Sequence, residues 1–234
     1  MGFLNRVAWW ELVGREWSAA QRVYATLGWH ARELGLRQRY PLWTLAGQGR
    51  AGWAALPEEA QQAGALPHWM PCVPVADLQK TLALAEQLAG QVVLQPTAVP
   101  HLGRLGTVVD PQGAALTLLE PTAAMRRWLW HGQVPVLTAA DPLALAPFYE
   151  QLLGWRVEQV KDGKLLLQLG GAPVAELAQR AVGAPPLWLP RWPAADTLAA
   201  EDRWEFCGGK RLGGVLIDSE GLASLGHGAE LPAE

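Results

Sequence analysis

An acidic side chain stands inside an apolar run near the amino terminus, and it is the first residue of the chain that could do chemistry. Residues 7–13 are apolar except for Glu11, and their composition predicts a β-strand. A carboxylate on an apolar strand needs a partner, or burial shifts its protonation. We therefore interpret Glu11 as a ligand anchor, a general base, or a structural group that hydrogen-bonds at a cleft rim.

Other side chains that could contact a ligand are spread over the first half of the chain. Tyr40 and Trp43 lie on a predicted strand, where they either line a cleft or pack the sheet. The guanidinium of Arg104 either clamps a ligand carboxylate or forms an ordinary loop salt bridge. His68 and Cys72 lie on a strand predicted over residues 68–75, and alternate residues of a strand share one face.

The elements that must position these residues occur twice in the chain. Three sequence blocks recur in the same order, which chance does not readily produce, so the chain contains a duplicated module. Each copy has about 115 residues, a common size for one domain. The blocks and their counterparts are 67–77 with 186–196, 24–29 with 148–155, and 110–113 with 218–221.

Within each copy the hydrophobic pattern predicts a strand, a helix and three strands, and then the same plan again. Asp77 and Asp141 are good helix N-caps, and Gly28 ends the first helix with a residue that tolerates the left-handed conformation. The later blocks lie closer together in the second copy, which has lost much of one helix or the strand after it. We predict a first module over 1–120, a linker over 121–132 and a reduced second module over 133–234.

The composition excludes several classes of function. Half of the residues (50%) are hydrophobic and 18% are charged, so the chain can bury a core. A net charge of −3 gives no electrostatic basis for binding nucleic acid or an anionic membrane. No apolar run is long enough to span a bilayer, the start of the chain does not resemble a signal peptide, and two cysteines fit neither a disulfide scaffold nor a paired zinc motif. We predict a cytoplasmic protein.

Several motifs resemble the glyoxalase/bleomycin-resistance/dioxygenase group, the vicinal oxygen chelate superfamily, and in particular its tandem bacterial members. In the first copy the resemblance covers nearly the whole module, and in the second it is weaker. It implies an α+β fold in which paired βαβββ modules form curved sheets around a cleft. The motifs are Trp10-Glu11-Leu12, Tyr24 with Gly28-Trp29, Pro67-x-Trp69, and Gly103-Arg104 followed by Asp110-Pro111-Gln112-Gly113-Ala114.

The resemblance also bears on metal binding, because this superfamily usually holds a divalent metal with His and Glu on inward strand positions. In the first copy these positions fall on Trp9, Met70 and Thr117, which are not normal ligands of zinc, nickel or iron. The resemblance therefore implies that the fold is kept and that metal and cofactors are absent. The matching positions of the second copy are Val134, Leu189 and Leu225.

A shifted metal site is the alternative. By strand alternation Glu11 shares a face with Trp9, and His68 and Cys72 flank Met70, so Glu, His and Cys could bind a metal together. In the other interpretation Cys72 is a small core residue and Glu11 forms hydrogen bonds at the cleft rim.

The thirteen tryptophans either pack the core and the contact between copies or line an aromatic cleft. We predict a metal-independent protein that binds a small molecule in an aromatic-lined cleft of the first module. Its resemblance to antibiotic-sequestering proteins implies a planar or cationic ligand, with Glu11 neutralising the cation. The alternatives are a lyase, isomerase or hydroxylase-like enzyme that uses Glu11 as a base or in the shifted metal site, and a non-catalytic structural or regulatory remnant. The tandem fusion predicts a monomer or a homodimer.

The working cleft is predicted in the first copy, because the second copy offers mostly aliphatic groups at the matching places. These are Val136, Leu187, Arg191 and Leu225 in place of Glu11, His68, Cys72 and Thr117. Glu11 is the candidate catalytic residue. The predicted ligand-binding residues are Trp9, Glu11, Tyr40, Trp43, His68, Met70, Cys72, Arg104 and Thr117.

Overall fold

The computed structural model describes residues 2–25, 28–34, 40–100, 102–130, 134–159, 165–180 and 182–191, and the backbone of three later strands. The side chains of residues 33, 34 and 40 are not described. Among the described residues, no helix has both the length and the apolar character needed to cross a membrane. The predicted cytoplasmic location and the oligomeric state stay predictions.

The first copy contains two βαβββ modules in sequence. The first consists of β1 (Trp9–Gly14), α1 (Trp17–Ala25), β2 (Trp29–Leu34), β3 (Tyr40–Leu45) and β4 (Gln48–Ala55). A short helix, α2 (Glu58–Gln62), connects it to the second, which consists of β5 (His68–Pro74), α3 (Leu78–Gln87), β6 (Gln91–Val99), β7 (Gly103–Val109) and β8 (Ala115–Pro121).

The second copy follows a 3-10 turn at Met125–Arg127 and opens with a third βαβββ module, after which only strands lie in the described part of the chain. The third module consists of β9 (Val136–Ala139), α4 (Pro142–Leu153), β10 (Arg156–Gln159), β11 (Leu165–Leu169) and β12 (Ala172–Gln179). The later strands are β13 (Trp188–Leu189), β14 (Lys210–Leu212), β15 (Val215–Ile217) and β16 (Ala223–Leu225).

The predicted α+β fold of βαβββ modules is confirmed. In all three complete modules the strands follow one spatial order, in which the first strand pairs in parallel with the fourth and the remaining pairs are antiparallel. The orders are β2-β3-β4-β1, β6-β7-β8-β5 and β10-β11-β12-β9, and β14, β15 and β16 form an antiparallel sheet. The helix predicted to be reduced in the second copy, and the turn at 218–221, lie outside the described residues.

Local sequence signals explain where the elements begin and end. Asp77 and Asp141 cap α3 and α4 by accepting hydrogen bonds from the amides of Lys80 and Ala144, each at 3.0 Å. Gly154 ends α4 in the left-handed conformation at φ 72°. These caps confirm the predicted helix starts.

A tight hairpin joins β3 to β4. The turn consists of Ala46 and Gly47, with φ angles of 51° and 76°, and Leu45 pairs directly with Gln48. Two successive positive φ angles are typical of the tight turn whose twist matches that of paired strands. Strand β4 therefore begins at Gln48, directly after the turn.

The helices α3 and α4 bury apolar stripes. Leu78, Leu82 and Ala85 of α3 are buried, and Ala89, which follows the end of that helix, is exposed with φ at 64°. The buried residues of α4 are Leu145, Ala146, Phe148, Tyr149, Leu152 and Leu153.

The chain divides into two compact units, each of which draws on both sequence copies. One unit contains residues 1–9 and 70–188, and thus the second and third modules. The other contains residues 10–69 and 189–234, and thus most of the first module with the later strands. The units do not coincide with the predicted modules 1–120 and 133–234. The predicted boundaries describe where the sequence repeats. A division into compact units does not test a sequence repeat, so the boundaries stay a prediction.

Candidate functional site

Glu11 lies on the face of its sheet that α1 does not cover. Strand β1 pairs with β4 so that Glu11 stands opposite Gly52, and β3 continues the row with Leu42. Residues that stand opposite each other in paired strands share a face. Glu11 is half-buried, and its partner on β4 is a glycine, which has no side chain.

The tryptophans of this sheet lie mostly on the opposite face, beneath α1. Trp43 is buried, and its ring centroid lies 4.6 Å from that of Trp17, 5.4 Å from that of Tyr24 and 6.5 Å from that of Trp29. Trp53 contacts Trp17 in the same way, at 5.3 Å. The aromatic residues of this unit thus form a core under the helix, and the structure does not bring Trp43 to the face of Glu11.

Two other predicted site residues belong to this part of the sequence. Trp9, which alternation places on the same face of β1 as Glu11, is buried with 2% of its surface exposed. Tyr40 begins β3 and pairs with Leu34 through the backbone, but its side chain lies outside the described residues.

His68 is half-buried at the start of β5 and is held by one hydrogen bond. Its Nδ1 lies 2.8 Å from the carbonyl oxygen of Leu66. A carbonyl only accepts, so Nδ1 carries the proton and Nε2 presents a lone pair. Nε2 is buried and has no hydrogen-bond partner among the described groups. Burial lowers the pKa of His68, and the bond to Leu66 opposes this shift. His68 is therefore a neutral acceptor at neutral pH.

Three predicted site residues lie on neighbouring strands of the second module together with Thr107: Met70, Cys72 and Thr117. Cys72 stands opposite Thr117, which stands opposite Thr107. The Thr117 hydroxyl donates to the Met70 Sδ at 3.0 Å and lies 3.5 Å from the Thr107 hydroxyl. All but the half-buried Met70 are buried. The structure thus brings three of the predicted site residues together, with the Thr117 hydroxyl already engaged by protein groups.

Arg104 does not join these residues. Alternation along β7 places it on the face opposite to Thr107, and it stands across from Glu120 of β8. Its Nη1 donates to the Glu120 Oε2 at 3.4 Å, and the two side chains are 47% and 41% exposed. Of the two predicted roles, the geometry matches the ordinary surface salt bridge.

A buried carboxylate at the β7–β8 turn was not among the predicted site residues. Asp110 is 4% exposed and accepts hydrogen bonds from the Gln112 and Ala114 amides and, at 2.8 Å, from the Tyr149 hydroxyl. Burial raises its pKa, and these bonds only partly oppose the shift. Burial and the Asp110 charge raise the pKa of Tyr149 well above 10.0.

This turn holds the second and third modules together. The Gln112 side chain donates to the carbonyl of Asp141 at 2.6 Å and accepts from its amide at 2.9 Å. A side chain at Gly113 would come within 3.1 Å of Pro186, and its φ of 102° also disfavours other residues. The recurrence of Asp and Gly in the repeated turn was the available sequence signal, but it did not reveal the partner, Tyr149.

The third module carries a carboxylate that the sequence comparison also missed. Strand β12 pairs with β9 so that Glu176 stands opposite Val136, in the register that places Gly52 opposite Glu11. Val136 is buried, whereas Glu176 is half-buried. The predicted counterparts of the first-copy residues, Val136 and Leu187, are aliphatic as expected, and Arg191 is half-buried. The side chain of Leu225 lies outside the described residues.

The family's metal positions do not suit a divalent metal in this chain. The Trp9 indole has no lone pair to offer, and the Thr117 hydroxyl is hydrogen-bonded to the Met70 thioether. In the described part of the chain, no group of three or more His, Cys, Asp and Glu residues could hold a metal ion. The residues present therefore give no basis for a step through a metal.

The comparisons with known proteins match this architecture to one class. No protein-family model matches the chain. A Mn(II)-bound glyoxalase from Novosphingobium aromaticivorans superimposes with a TM-score of 0.62 and 14% identity over 97% of this chain and 82% of its own. Extradiol ring-cleaving dioxygenases match at similar TM-scores. The chain has the fold of the glyoxalase/bleomycin-resistance/dioxygenase superfamily, as its motifs predicted.

Two curated proteins give the particular relatives. The anthracycline biosynthesis protein DnrV of Streptomyces peucetius is 34% identical over 122 residues, which are 51% of this chain and 42% of DnrV. The protein CFP32 of Mycobacterium tuberculosis, named as a glyoxylase, is 39% identical over 54 residues, which are 23% of this chain and 21% of CFP32. Each match thus covers less than half of the relative's own length.

Proposed function

We propose that this protein binds a small molecule without a metal, at the sheet face of the first module that carries Glu11. The observation that supports this proposal most directly is the half-buried carboxylate opposite Gly52. A carboxylate placed on an apolar wall can orient a polar ligand, since specificity in such sites comes from a few placed polar atoms. The poor match of Trp9, Met70 and Thr117 to metal ligands favours binding that does not depend on a metal.

The ligand class that we propose is a planar aromatic molecule that carries a positive charge. The relative DnrV is named for anthracycline biosynthesis, and anthracyclines combine a planar ring system with an amine. Glu11 would neutralise the ammonium. The aromatic cluster around Trp43 is buried beneath α1, so we assign it to the core. The aromatic wall predicted from the sequence is therefore left out of this proposal, because Trp9 on the face of Glu11 is buried as well.

Titration with an anthracycline tests this proposal. Doxorubicin should quench the tryptophan fluorescence of the protein saturably. Glu11→Gln keeps the shape and removes the charge, so it should weaken binding by more than tenfold, about 1.4 kcal/mol. Binding should be the same after dialysis against EDTA and after addition of Mn²⁺. Arg191→Met serves as the control and should leave this affinity nearly unchanged. A metal-dependent affinity, or a Glu11→Gln variant that binds like the wild type, would contradict the proposal.

An enzyme of the same superfamily is the second candidate, favoured by the glyoxylase name of CFP32 and by the glyoxalase structure that shares the fold. In that case Glu11 would act as a general base, the task for which a half-buried carboxylate is suited. Analysis of the bound molecule by mass spectrometry separates the two candidates. A changed molecule supports the enzyme, and an unchanged one supports binding alone.

A further inference from the structure

The imidazole of His68 has a buried acceptor that none of the described groups satisfies. Its Nε2 is buried without a hydrogen-bond partner among those groups, whereas its Nδ1 lies 2.8 Å from the Leu66 carbonyl oxygen. Because the carbonyl only accepts, Nδ1 holds the proton and Nε2 holds the lone pair. A buried acceptor that makes no hydrogen bond costs free energy, so the Nε2 atom needs an explanation.

The indole nitrogen of Trp43 is also buried without a hydrogen-bond partner, but its surroundings explain it. Trp43 is 1% exposed, and its ring centroid lies 4.6 Å from that of Trp17 and 5.4 Å from that of Tyr24. The face of an aromatic ring is negative and accepts an N–H group weakly. A lone pair gains nothing from such a face. Aromatic packing therefore accommodates the donor of Trp43, but it cannot satisfy the acceptor of His68.

Protonation does not satisfy the Nε2 atom either. Burial is the largest influence on the pKa of His68 and lowers it, so the imidazole is neutral at neutral pH. What Nε2 needs is therefore a hydrogen-bond donor that the described residues do not supply. A bound molecule can supply that donor.

His68 lies on the same face of the sheet as Glu11. Trp69 points to the side of α1, because its indole donates to the Tyr24 hydroxyl at 3.1 Å. Trp10 points to the same side, since its ring centroid lies 6.5 Å from that of Trp69. Glu11 follows Trp10 and His68 precedes Trp69, so alternation places both on the opposite face. Because β1 and β5 are neighbours in the sheet, these two acceptors share the face that α1 leaves uncovered.

The two side chains call for two different donors. A carboxylate accepts most strongly from a charged group such as an ammonium, and a neutral imidazole nitrogen accepts from a hydroxyl. Neighbouring strands lie about 4.7–4.9 Å apart, so one small part of a ligand can reach both side chains. An ammonium and a hydroxyl on adjacent carbon atoms are two donors within such a span. The face therefore suits an amino alcohol better than a simple amine.

We propose that His68 determines the specificity of the Glu11 site, because its Nε2 accepts a hydrogen bond from a ligand hydroxyl beside the ammonium that Glu11 binds. This inference rests on the proposed function and narrows its ligand class to planar aromatic molecules that carry an amino alcohol. Glu11 recognises the charge, and His68 distinguishes an amino alcohol from an amine.

Calorimetric titration with doxorubicin and with 4′-deoxydoxorubicin tests this role, because the two molecules differ only in the hydroxyl next to the amine. The wild-type chain should bind doxorubicin about tenfold more tightly, since the deoxy compound leaves the buried Nε2 without a donor. His68→Leu should bind both compounds with equal affinity. His68→Gln keeps an acceptor in the side-chain amide and should keep a preference for doxorubicin. Gln87→Leu, at an exposed position of α3, is the matched control and should keep the wild-type preference.

The outcomes separate this role from the proposed function. Equal wild-type affinities for the two compounds, with binding still weakened in Glu11→Gln, would overturn the role of His68 and leave the proposed function intact. A preference for doxorubicin that persists in His68→Leu would show that another group binds the hydroxyl, which also overturns it. Failure of the wild-type chain to bind either compound would overturn both proposals. The comparison of two ligands on the wild-type chain needs no variant, so it stands even if His68→Leu does not fold.

Discussion

Two aromatic clusters, one in each compact unit, are built from the same three positions of the sequence repeat. Each joins the tyrosine of a helix, the tryptophan that follows that helix and the tryptophan of the Pro-x-Trp block. Ring centroids lie 5.6–6.3 Å apart in the first cluster and 5.4–6.3 Å apart in the second. The first consists of Tyr24, Trp29 and Trp69, and the second of Tyr149, Trp155 and Trp188.

The clusters differ in what their polar atoms contact. In the first, the indole nitrogen of Trp69 donates to the Tyr24 hydroxyl at 3.1 Å. In the second, the Tyr149 hydroxyl donates instead to Asp110 at 2.8 Å, and Trp155 donates to the Asn5 carbonyl at 2.6 Å. The two clusters thus share their apolar packing and differ in their hydrogen bonds. The polar tips of Tyr and Trp allow this, because they can change partners without moving the rings.

The largest effect should come from removing the tryptophan of the Pro-x-Trp block, which is Trp69 in the first cluster and Trp188 in the second. Trp69 and Trp188 are 1% and 2% exposed, so Trp69→Ala and Trp188→Ala should each destabilise the protein by about 3–5 kcal/mol. Urea denaturation followed by circular dichroism measures the loss. Trp128→Ala, at a position 39% exposed, is the control and should cost less than about 1 kcal/mol. If only one of the two substitutions caused a loss of this size, the packing of the two clusters would not be equivalent.

Loss of the tyrosine hydroxyl should lower the free energy of unfolding by different amounts in the two clusters. Tyr149→Phe leaves the buried Asp110 without its side-chain donor, and hydrogen bonds to charged groups contribute about 1.5–3 kcal/mol. Tyr24→Phe removes the acceptor of Trp69, a bond between neutral groups worth about 0.5–1.5 kcal/mol. We therefore expect the larger loss of unfolding free energy for Tyr149→Phe. Equal losses, or the reverse order, would show that the charge of Asp110 does not set the difference.

Sequence reasoning found the fold because the signals that fix it are local. The carboxylates of Asp77 and Asp141 cap helices by accepting hydrogen bonds from amides three residues further on, and Gly154 ends one helix through its own φ angle. These contacts span only a few residues. The repeated sequence blocks added support, because they gave more than one instance of each predicted element.

The candidate site was harder to predict because its geometry depends on register between distant strands. Alternation placed Glu11 on one face of β1, but it could not show that Gly52 stands opposite or that Trp43 lies beneath α1. Glu176 escaped notice because its carboxylate lies on a different strand from Glu11, so aligning the copies residue by residue matched Glu11 with Val136. Strand pairing, which sequence does not state, relates the two carboxylates.

The smallest effect concerns the residue before the shared tryptophan, which is His68 in the first copy and Leu187 in the second. Burial lowers the pKa of folded His68 below the ordinary 6.5. Well above pH 6.5 the imidazole is neutral in both the folded and the unfolded state and contributes no pH dependence. Below pH 6.5 the unfolded chain takes up a proton more readily than the folded one, so stability falls as the pH falls.

His68→Leu places the residue of the second copy in the first and should remove this dependence. Thermal unfolding at pH 7.5 and at pH 5.0 measures it: the drop in Tm between the two should be smaller in His68→Leu than in the wild type. His30→Gln is the control, because His30 is exposed on β2 and its loss should leave the drop unchanged. If His68→Leu shows the wild-type drop, the imidazole is free to protonate in the folded state. The Nε2 atom of His68 would then face water. His68 and Leu187 would differ in side-chain chemistry and not in burial.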